Sequence, residues 1–175
     1  LLSYDRPGYG YKDGIRAVTS LEEQSIILNE VIDSLGLIDV YLFSHSFGGA
    51  IALEYAYLYP YKTKSVVLAA AALDPENEKF FWFSKFGKWW FTRMLLPKKY
   101  RTTGKEKYTH IEELKKLKPK LKSINTQIIV AHGDKDEMVP YANVAYIKKH
   151  LGHTELDIKT LSLIHISEPT RQEAI

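Results

Sequence analysis

The chain has no cysteine among its 175 residues, and it has neither a strong net charge nor a long apolar run. Without cysteine there is no disulfide framework, no thiolate nucleophile and no cysteine-ligated metal. No apolar run reaches the roughly 20 residues that a membrane-spanning helix needs. The composition predicts one domain with a sizeable core and leaves the compartment open, with the cytoplasm slightly favoured.

The net charge of +3 is too small to argue for a nucleic-acid partner, although the basic residues are unevenly placed. Residues 98–122 contain ten lysines and arginines against three glutamates. A solvated surface explains such a segment better than an anion-binding face does. We therefore expect no nucleic-acid partner, and we expect neither a cofactor nor a bound metal.

The segment from Tyr41 to Ala50 is an apolar run followed by a serine, two glycines and a helical pattern. It predicts a strand, a sharp turn and a helix. A serine at such a turn lies beyond the carboxyl edge of the sheet, and the N–H group of the next residue points to the same space. Ser46 is thus the candidate nucleophile and Phe47 the candidate oxyanion donor. Side chains at Gly48 or Gly49 would hinder close packing of strand and helix.

Two other interpretations of this turn are a purely structural turn and a phosphate-binding loop. A phosphate loop of the Walker type needs Lys-Ser or Lys-Thr after the glycines, whereas Ala50 and Ile51 stand there. Ser44 is the lesser candidate nucleophile, because it lies two residues earlier, on the strand. We expect His45, which alternates to the other side of the strand, to be packed rather than catalytic.

The turn resembles the nucleophile elbow of the α/β-hydrolase superfamily, G-x-S-x-G, with Ser44 in place of the first glycine. Residues 5–10, DRPGYG, resemble the loop that follows the fourth strand in many members of that superfamily. The resemblance implies that the first strands, and the loop that supplies a second oxyanion N–H group, precede the given sequence.

Strand and helix patterns alternate along the chain, which predicts a mostly parallel sheet with helices on both faces. The resemblance implies that this sheet is an incomplete α/β-hydrolase core. Ser20 and Glu23 form a capping box, and Gly36 suits the end of the helix that follows. The apolar strand before Ser44 predicts cover on both of its faces. The predicted strands are 40–43, 65–73, 124–131 and 154–160, and the main predicted helices are 21–35, 47–58 and 142–151.

Residues 80–96 are dominated by bulky aromatic side chains with a narrow polar stripe, so a helix there must be covered or must cover something. The superfamily places a cap over its active site at this position. The resemblance therefore implies a helical cap at 75–122 whose Phe83, Phe86 and Trp90 line the substrate pocket. A membrane-surface helix is the competing and less favoured interpretation.

The predicted strand 124–131 is followed by His132-Gly-Asp-Lys-Asp136-Glu-Met-Val-Pro140, which resembles the G-x-x-D-x-x-V-P loop of the superfamily. The resemblance implies that Asp136 is the acid that orients a catalytic histidine. A solvated polar turn is the alternative, and Asp74 is the second candidate acid. We expect His132 to be structural.

His165 occupies the position at which the superfamily's catalytic histidine is expected, after the last strand. Residues 161–171, however, resemble the in-frame translation of a transposase sequencing adapter, and no Gly-x-x-His pattern surrounds His165. We therefore treat His165 as a positional candidate only and expect it to be an artefact. The resulting division is a core at 1–74, a cap at 75–122, a core at 123–160 and a non-native tail at 161–175.

The resemblance implies a serine hydrolase that acts on a small-molecule acyl or aromatic ester substrate through an acyl-enzyme on Ser46. The chain as given is expected to be nearly inactive for want of a base. A C–C bond hydrolase or haloperoxidase with the same elbow is one alternative. A non-catalytic binding module on the same fold is another.

Overall fold

A four-stranded parallel sheet forms the centre of the computed structural model, which describes residues 2–8, 18–77 and 109–161. The strands, in spatial as well as sequence order, are β1 (Val40–His45), β2 (Thr63–Ala69), β3 (Gln127–Gly133) and β4 (Leu156–Leu161). All neighbouring strands are parallel. Their carboxyl ends therefore lie at one edge of the sheet. This arrangement confirms the predicted α/β class.

Helices connect or flank these strands, and local sequence signals account for their ends. They are α1 (Leu21–Ser34), α2 (Gly48–Leu58), α3 (residues 109–117), a 3₁₀ turn (Leu121–Ser123) and α4 (Ala142–Leu151). The Ser20 hydroxyl accepts the N–H of Glu23 at 3.3 Å, which satisfies a free donor of the first turn of α1. Gly36 follows that helix at φ +67°, a conformation that favours glycine.

One face of the sheet carries the hydrophobic core. Val66, Leu68, Ile128 and Val130 point to this face from the two central strands and are fully buried. Side chains of all four helices join the same buried cluster, and most of α2 is inaccessible to solvent. Each such aliphatic side chain stabilises the fold by about 1.5–3 kcal/mol relative to its exposed state. The core therefore fixes α2 directly against the strands that flank the elbow.

The opposite face of β1 is open in the described part of the chain. Tyr41 and Phe43 are 77% and 73% exposed, and the described helices pack on the other face. The prediction that this strand is covered on both faces is thus wrong for the described residues. An apolar pattern indicates a preference for burial, but it does not say which other segment provides the cover.

The two largest differences between predicted and observed strand boundaries are at the end of β2 and the start of β3. β2 ends at Ala69 rather than Leu73, because Ala70 adopts φ +44° and turns the backbone out of the ladder. β3 begins at Gln127 rather than Ile124, because the 3₁₀ turn extends to Ser123. Both differences reflect local backbone geometry rather than a change in strand order.

The segment that leads back into the sheet is well packed. Leu114, Leu117 and Leu121 are almost fully buried in the core cluster. The Glu113 carboxylate accepts the N–H of Leu21 at 2.9 Å and so caps α1 from a distant part of the chain. The predicted cap boundary at 122 remains a prediction. No helix in the described ranges is long and apolar enough to cross a membrane.

Candidate active site

Ser46 lies at the sharp turn between β1 and α2, at the carboxyl edge of the sheet. Its φ is +52°, in the left-handed region that residues with a Cβ atom seldom adopt. Its N–H donates to Ala69 O at 3.0 Å, and its carbonyl accepts the N–H groups of Gly49 and Ala72 at 3.1 and 3.3 Å. Because the surrounding backbone holds this conformation on both sides, the half-buried Ser46 side chain stays at the turn.

Of the two glycines after the turn, Gly49 is the one that the packing requires. A Cβ atom at Gly49 would lie 2.6 Å from Cβ of Ala71, well inside van der Waals contact. A Cβ atom at Gly48 would meet only Cβ of Ser44, at an ordinary 3.8 Å. The expectation that a side chain at either glycine would hinder packing is therefore correct for Gly49 and wrong for Gly48.

Ser44, the lesser candidate nucleophile, is buried in the sheet. Its hydroxyl donates to Val67 O at 2.8 Å. This bond holds the oxygen within β1 and β2 instead of presenting it at the edge. The neighbouring His45 is exposed, so the expectation that it is packed is wrong.

Phe47 combines a backbone group at the start of α2 with a well-held aromatic ring. The first N–H groups of a helix have no partner within the helix, and the helix dipole makes this end attractive to negative charge. The Phe47 ring lies 4.5 Å from the His110 ring and 4.9 Å from Cζ of Arg6. Three distant segments of the chain thus meet beside the candidate nucleophile.

Asp136 lies in the loop after β3, at the same edge of the sheet as Ser46. Its Oδ1 accepts the N–H groups of Met138 and Val139, both at 2.9 Å. His132, fully buried beneath the loop, donates from Nε2 to Val139 O at 2.9 Å. Both hydrogen bonds of the Asp136 carboxylate end on Oδ1, so within the described residues Oδ2 is open to another donor. The contacts of His132 agree with its expected structural role.

Asp74, the second candidate acid, closes a local turn. Its Oδ1 accepts the N–H of Glu76 at 3.0 Å, and its Oδ2 accepts Nδ2 of Asn77 at 2.7 Å. Both oxygens of the Asp74 carboxylate therefore have nearby donors.

The Tyr146 phenol lies near Asp74 and Glu76. Burial, together with these two carboxylates, raises the pKa of Tyr146 to about 12, so the phenol stays neutral.

Asn143 joins the loop after β2 to residues 134–140, the loop that carries the candidate acid Asp136 and is called the acid loop below. The sequence reasoning missed this role. Its Oδ1 accepts the N–H groups of Leu73 and Asp74 at 2.8 Å, and its Nδ2 donates to Pro140 O at 3.0 Å. A polar side chain directly after the acid loop was the only available signal. Its two partner segments cannot be assigned from the sequence alone.

Two other described histidines, His153 and His150, have contacts elsewhere. His153 binds Ile124 O at 2.9 Å, at the amino edge of the sheet, opposite Ser46. His150 packs on Tyr146, and burial together with Lys118 and Lys149 lowers its pKa. Neither of these two histidines has a described contact with Asp136.

Four predicted site residues lie outside the described residues: His165, Phe83, Phe86 and Trp90. In the described ranges no three His, Asp or Glu side chains form a metal-binding group.

Comparisons with known proteins agree with this geometry. The family model described as serine aminopeptidase, S33 (Hydrolase_4) matches residues 1–113. No curated protein sequence matches the chain.

Three solved structures with the same fold are similar to this chain. A monoacylglycerol lipase of Paleococcus ferrophilus has a TM-score of 0.66 at 21% identity, over 90% of this chain and 71% of that one. An esterase of Exiguobacterium antarcticum has a TM-score of 0.63 at 20% identity, over 89% of this chain and 70% of that one. Est816, described as degrading N-acyl homoserine lactones, has a TM-score of 0.64 at 14% identity, over 90% of this chain and 72% of that one.

Proposed function

Because the chain belongs to the α/β-hydrolase superfamily, within the family described as serine aminopeptidase S33, we propose that it is a serine hydrolase with Ser46 as nucleophile. The observation that carries the proposal is the φ of +52° at Ser46, between a buried strand and a helix N-terminus. A strained backbone at a residue with a nucleophilic side chain is typical of functional sites.

In the proposed reaction, Ser46 Oγ attacks the carbonyl carbon of an ester or related acyl substrate. The Oγ proton passes to a base, and the negative charge that develops on the carbonyl oxygen is stabilised by the N–H of Phe47. Collapse of this intermediate breaks the bond to the leaving group, which takes up the proton and departs as an alcohol. Water then hydrolyses the acyl-enzyme, releases the acid and restores Ser46.

Asp136 is proposed to orient and stabilise the protonated base through Oδ2, while Oδ1 holds its own loop. We do not assign the base to His165, because residues 161–171 resemble a translated adapter. The 175-residue chain is accordingly proposed to hydrolyse esters slowly. Its oxyanion donor and substrate contacts would still support some hydrolysis, as in triad enzymes that lack one member.

The proposed substrate is a small acyl or aromatic ester. Support comes from similar structures described as a monoacylglycerol lipase and an esterase, together with the aromatic residues of 80–96. Phe83, Phe86 and Trp90 are proposed to line the acyl pocket. Contact of this segment with a membrane surface is the less favoured alternative.

Labelling with a fluorophosphonate tests the nucleophile directly, in a buffer that contains imidazole to accept the Ser46 proton. Ser46 Oγ would displace fluoride from phosphorus, and peptide mass spectrometry locates the adduct. We expect Ser46→Ala to abolish the adduct. We expect Ser44→Ala to retain it, because the Ser44 hydroxyl is bonded within the sheet. Absence of an adduct at Ser46 in the unmodified chain, or equal labelling of Ser46→Ala, would refute the proposal.

Chemical rescue tests whether the chain lacks its own base. Imidazole in solution should accelerate p-nitrophenyl ester hydrolysis by the chain beyond the imidazole background measured with Ser46→Ala. His165→Ala should give the same rescued rate as the unmodified chain. A large loss of unassisted hydrolysis in His165→Ala would instead make His165 the base.

A further inference from the structure

The Phe47 ring is held between two side chains that come from opposite directions in the sequence. Arg6 lies over the ring at 4.9 Å, and its Nη1 donates to Oε1 of the fully buried Gln24 at 2.8 Å. His110, at the start of the described part of α3, lies 4.5 Å from the ring, with an angle of 37° between the planes. The ring that follows the candidate nucleophile therefore cannot shift without disturbing one of these neighbours.

His110 also contacts the backbone that supports Ser46. The residue is 97% inaccessible to solvent, and Nε2 lies 3.2 Å from Ala72 O, where the Nε2–H tautomer donates. The N–H of Ala72 in turn donates to Ser46 O at 3.3 Å. Contacts therefore run in a closed loop from His110 to Ala72, to Ser46, along the backbone to Phe47, and through the two rings back to His110.

We propose that His110 is a positioning residue, which holds the N–H of Phe47 where a carbonyl oxygen attacked by Ser46 Oγ becomes negatively charged. This inference rests on the proposed function. A backbone N–H stabilises an oxyanion only at hydrogen-bond distance from the position that the oxygen reaches in the transition state. His110 acts on that distance from two sides, through the ring of Phe47 and through the carbonyl of Ala72.

The test compares three substitutions of His110. His110→Phe keeps a ring against Phe47 but cannot donate to Ala72 O. His110→Gln keeps an N–H at a similar reach but has no ring, and His110→Ala removes both contacts. His153→Phe is the matched control, because His153 also binds a backbone carbonyl through Nε2, but at the amino edge of the sheet.

With imidazole present as the base, second-order rate constants for fluorophosphonate labelling of Ser46 should fall about hundredfold in His110→Ala and about tenfold in His110→Phe and His110→Gln. His153→Phe should stay within about twofold of the unmodified chain. In the p-nitrophenyl ester burst, the maximal acylation rate should fall while the substrate concentration giving half that rate stays constant. The maximal rate should fall without a change in that concentration because an oxyanion donor stabilises the transition state and not the bound substrate.

Urea unfolding of each variant supplies the folded fraction by which the rates are corrected. If His110→Ala does not fold, His110→Phe and His110→Gln decide the question. Corrected rates equal to that of His153→Phe, or a loss confined to substrate binding, would overturn the role of His110. An unmodified chain that is not labelled at Ser46 would instead refute the proposed function itself.

Discussion

Substitution of the two glycines after Ser46 offers a matched test of how the elbow is packed. In Gly49→Ala the new Cβ would lie 2.6 Å from Cβ of the fully buried Ala71. Ordinary contact between carbon atoms is about 3.5–4.0 Å, so α2 and the segment after β2 must separate by about 1 Å. Overpacking of this kind costs about 1–3 kcal/mol. Higher helix propensity of alanine returns up to about 1 kcal/mol. We expect a net loss of about 1–2 kcal/mol in the free energy of unfolding.

Gly48→Ala is the control, because its Cβ would make one ordinary contact at 3.8 Å. Alanine at that position should leave stability unchanged or raise it by about 0.5 kcal/mol. Urea unfolding followed by circular dichroism measures both free energies. The double variant Gly49→Ala/Ala71→Gly removes the clashing methyl group from the other side and should recover part of the loss.

A Gly49→Ala variant as stable as Gly48→Ala would refute the close approach of α2 to Ala71. Failure of Ala71→Gly to relieve any of the loss would show that the cost arises from another contact. Labelling of Ser46 should also slow in Gly49→Ala and not in Gly48→Ala, since the first turn of α2 carries the N–H of Phe47.

Three further predictions concern stability. Ser46→Gly should be about 1 kcal/mol more stable to urea than Ser46→Ala, because only glycine adopts φ +52° without strain. Both variants lack the Ser46 hydroxyl, and equal stabilities would mean that the turn is unstrained. Glu113→Ala should lower the melting temperature through loss of about 1 kcal/mol of capping at Leu21, and Glu113→Gln should lose less. Burial raises the pKa of the Glu54 carboxyl despite the neighbouring Lys120. The contribution of this carboxyl to the free energy of unfolding is therefore fully present below the unfolded pKa near 4.5, and it is lost as pH rises through the folded pKa. The stability of the unmodified chain relative to Glu54→Gln should therefore fall as pH rises above about 4.5, and a pH-independent difference between the two would contradict this.

Local signals account for the elements that were predicted well. The Ser20 cap and the helix end at Gly36 depend on residues close in sequence, and the structure confirms α1 and α2 to within one residue. Burial along α1 follows the hydrophobic pattern less closely. Leu35 is apolar but exposed, whereas Gln24 is buried because Arg6 and Val18 O satisfy its amide. Hydrophobic periodicity cannot predict a polar residue that is buried by virtue of its partners.

The candidate site shows the same division. Ser46, Phe47 and Asp136 could be selected from the sequence because a strand-to-helix turn and a strand-end loop each have a short local pattern. The contacts of His110 could not, because its partners Phe47 and Ala72 belong to the elbow and to the segment after β2. The roles of the selected residues remain predictions until labelling tests them.

The sequence by itself determined the α/β class and the order of strands and helices. These properties follow from hydrophobic period, caps and turn residues, which act over a few neighbouring positions. Tertiary structure alone decided that Ser46 is held at positive φ, that Gly49 and not Gly48 must lack a side chain, and that Arg6 and His110 enclose Phe47. Each of these depends on distances between segments remote in the chain, which only the packed core sets.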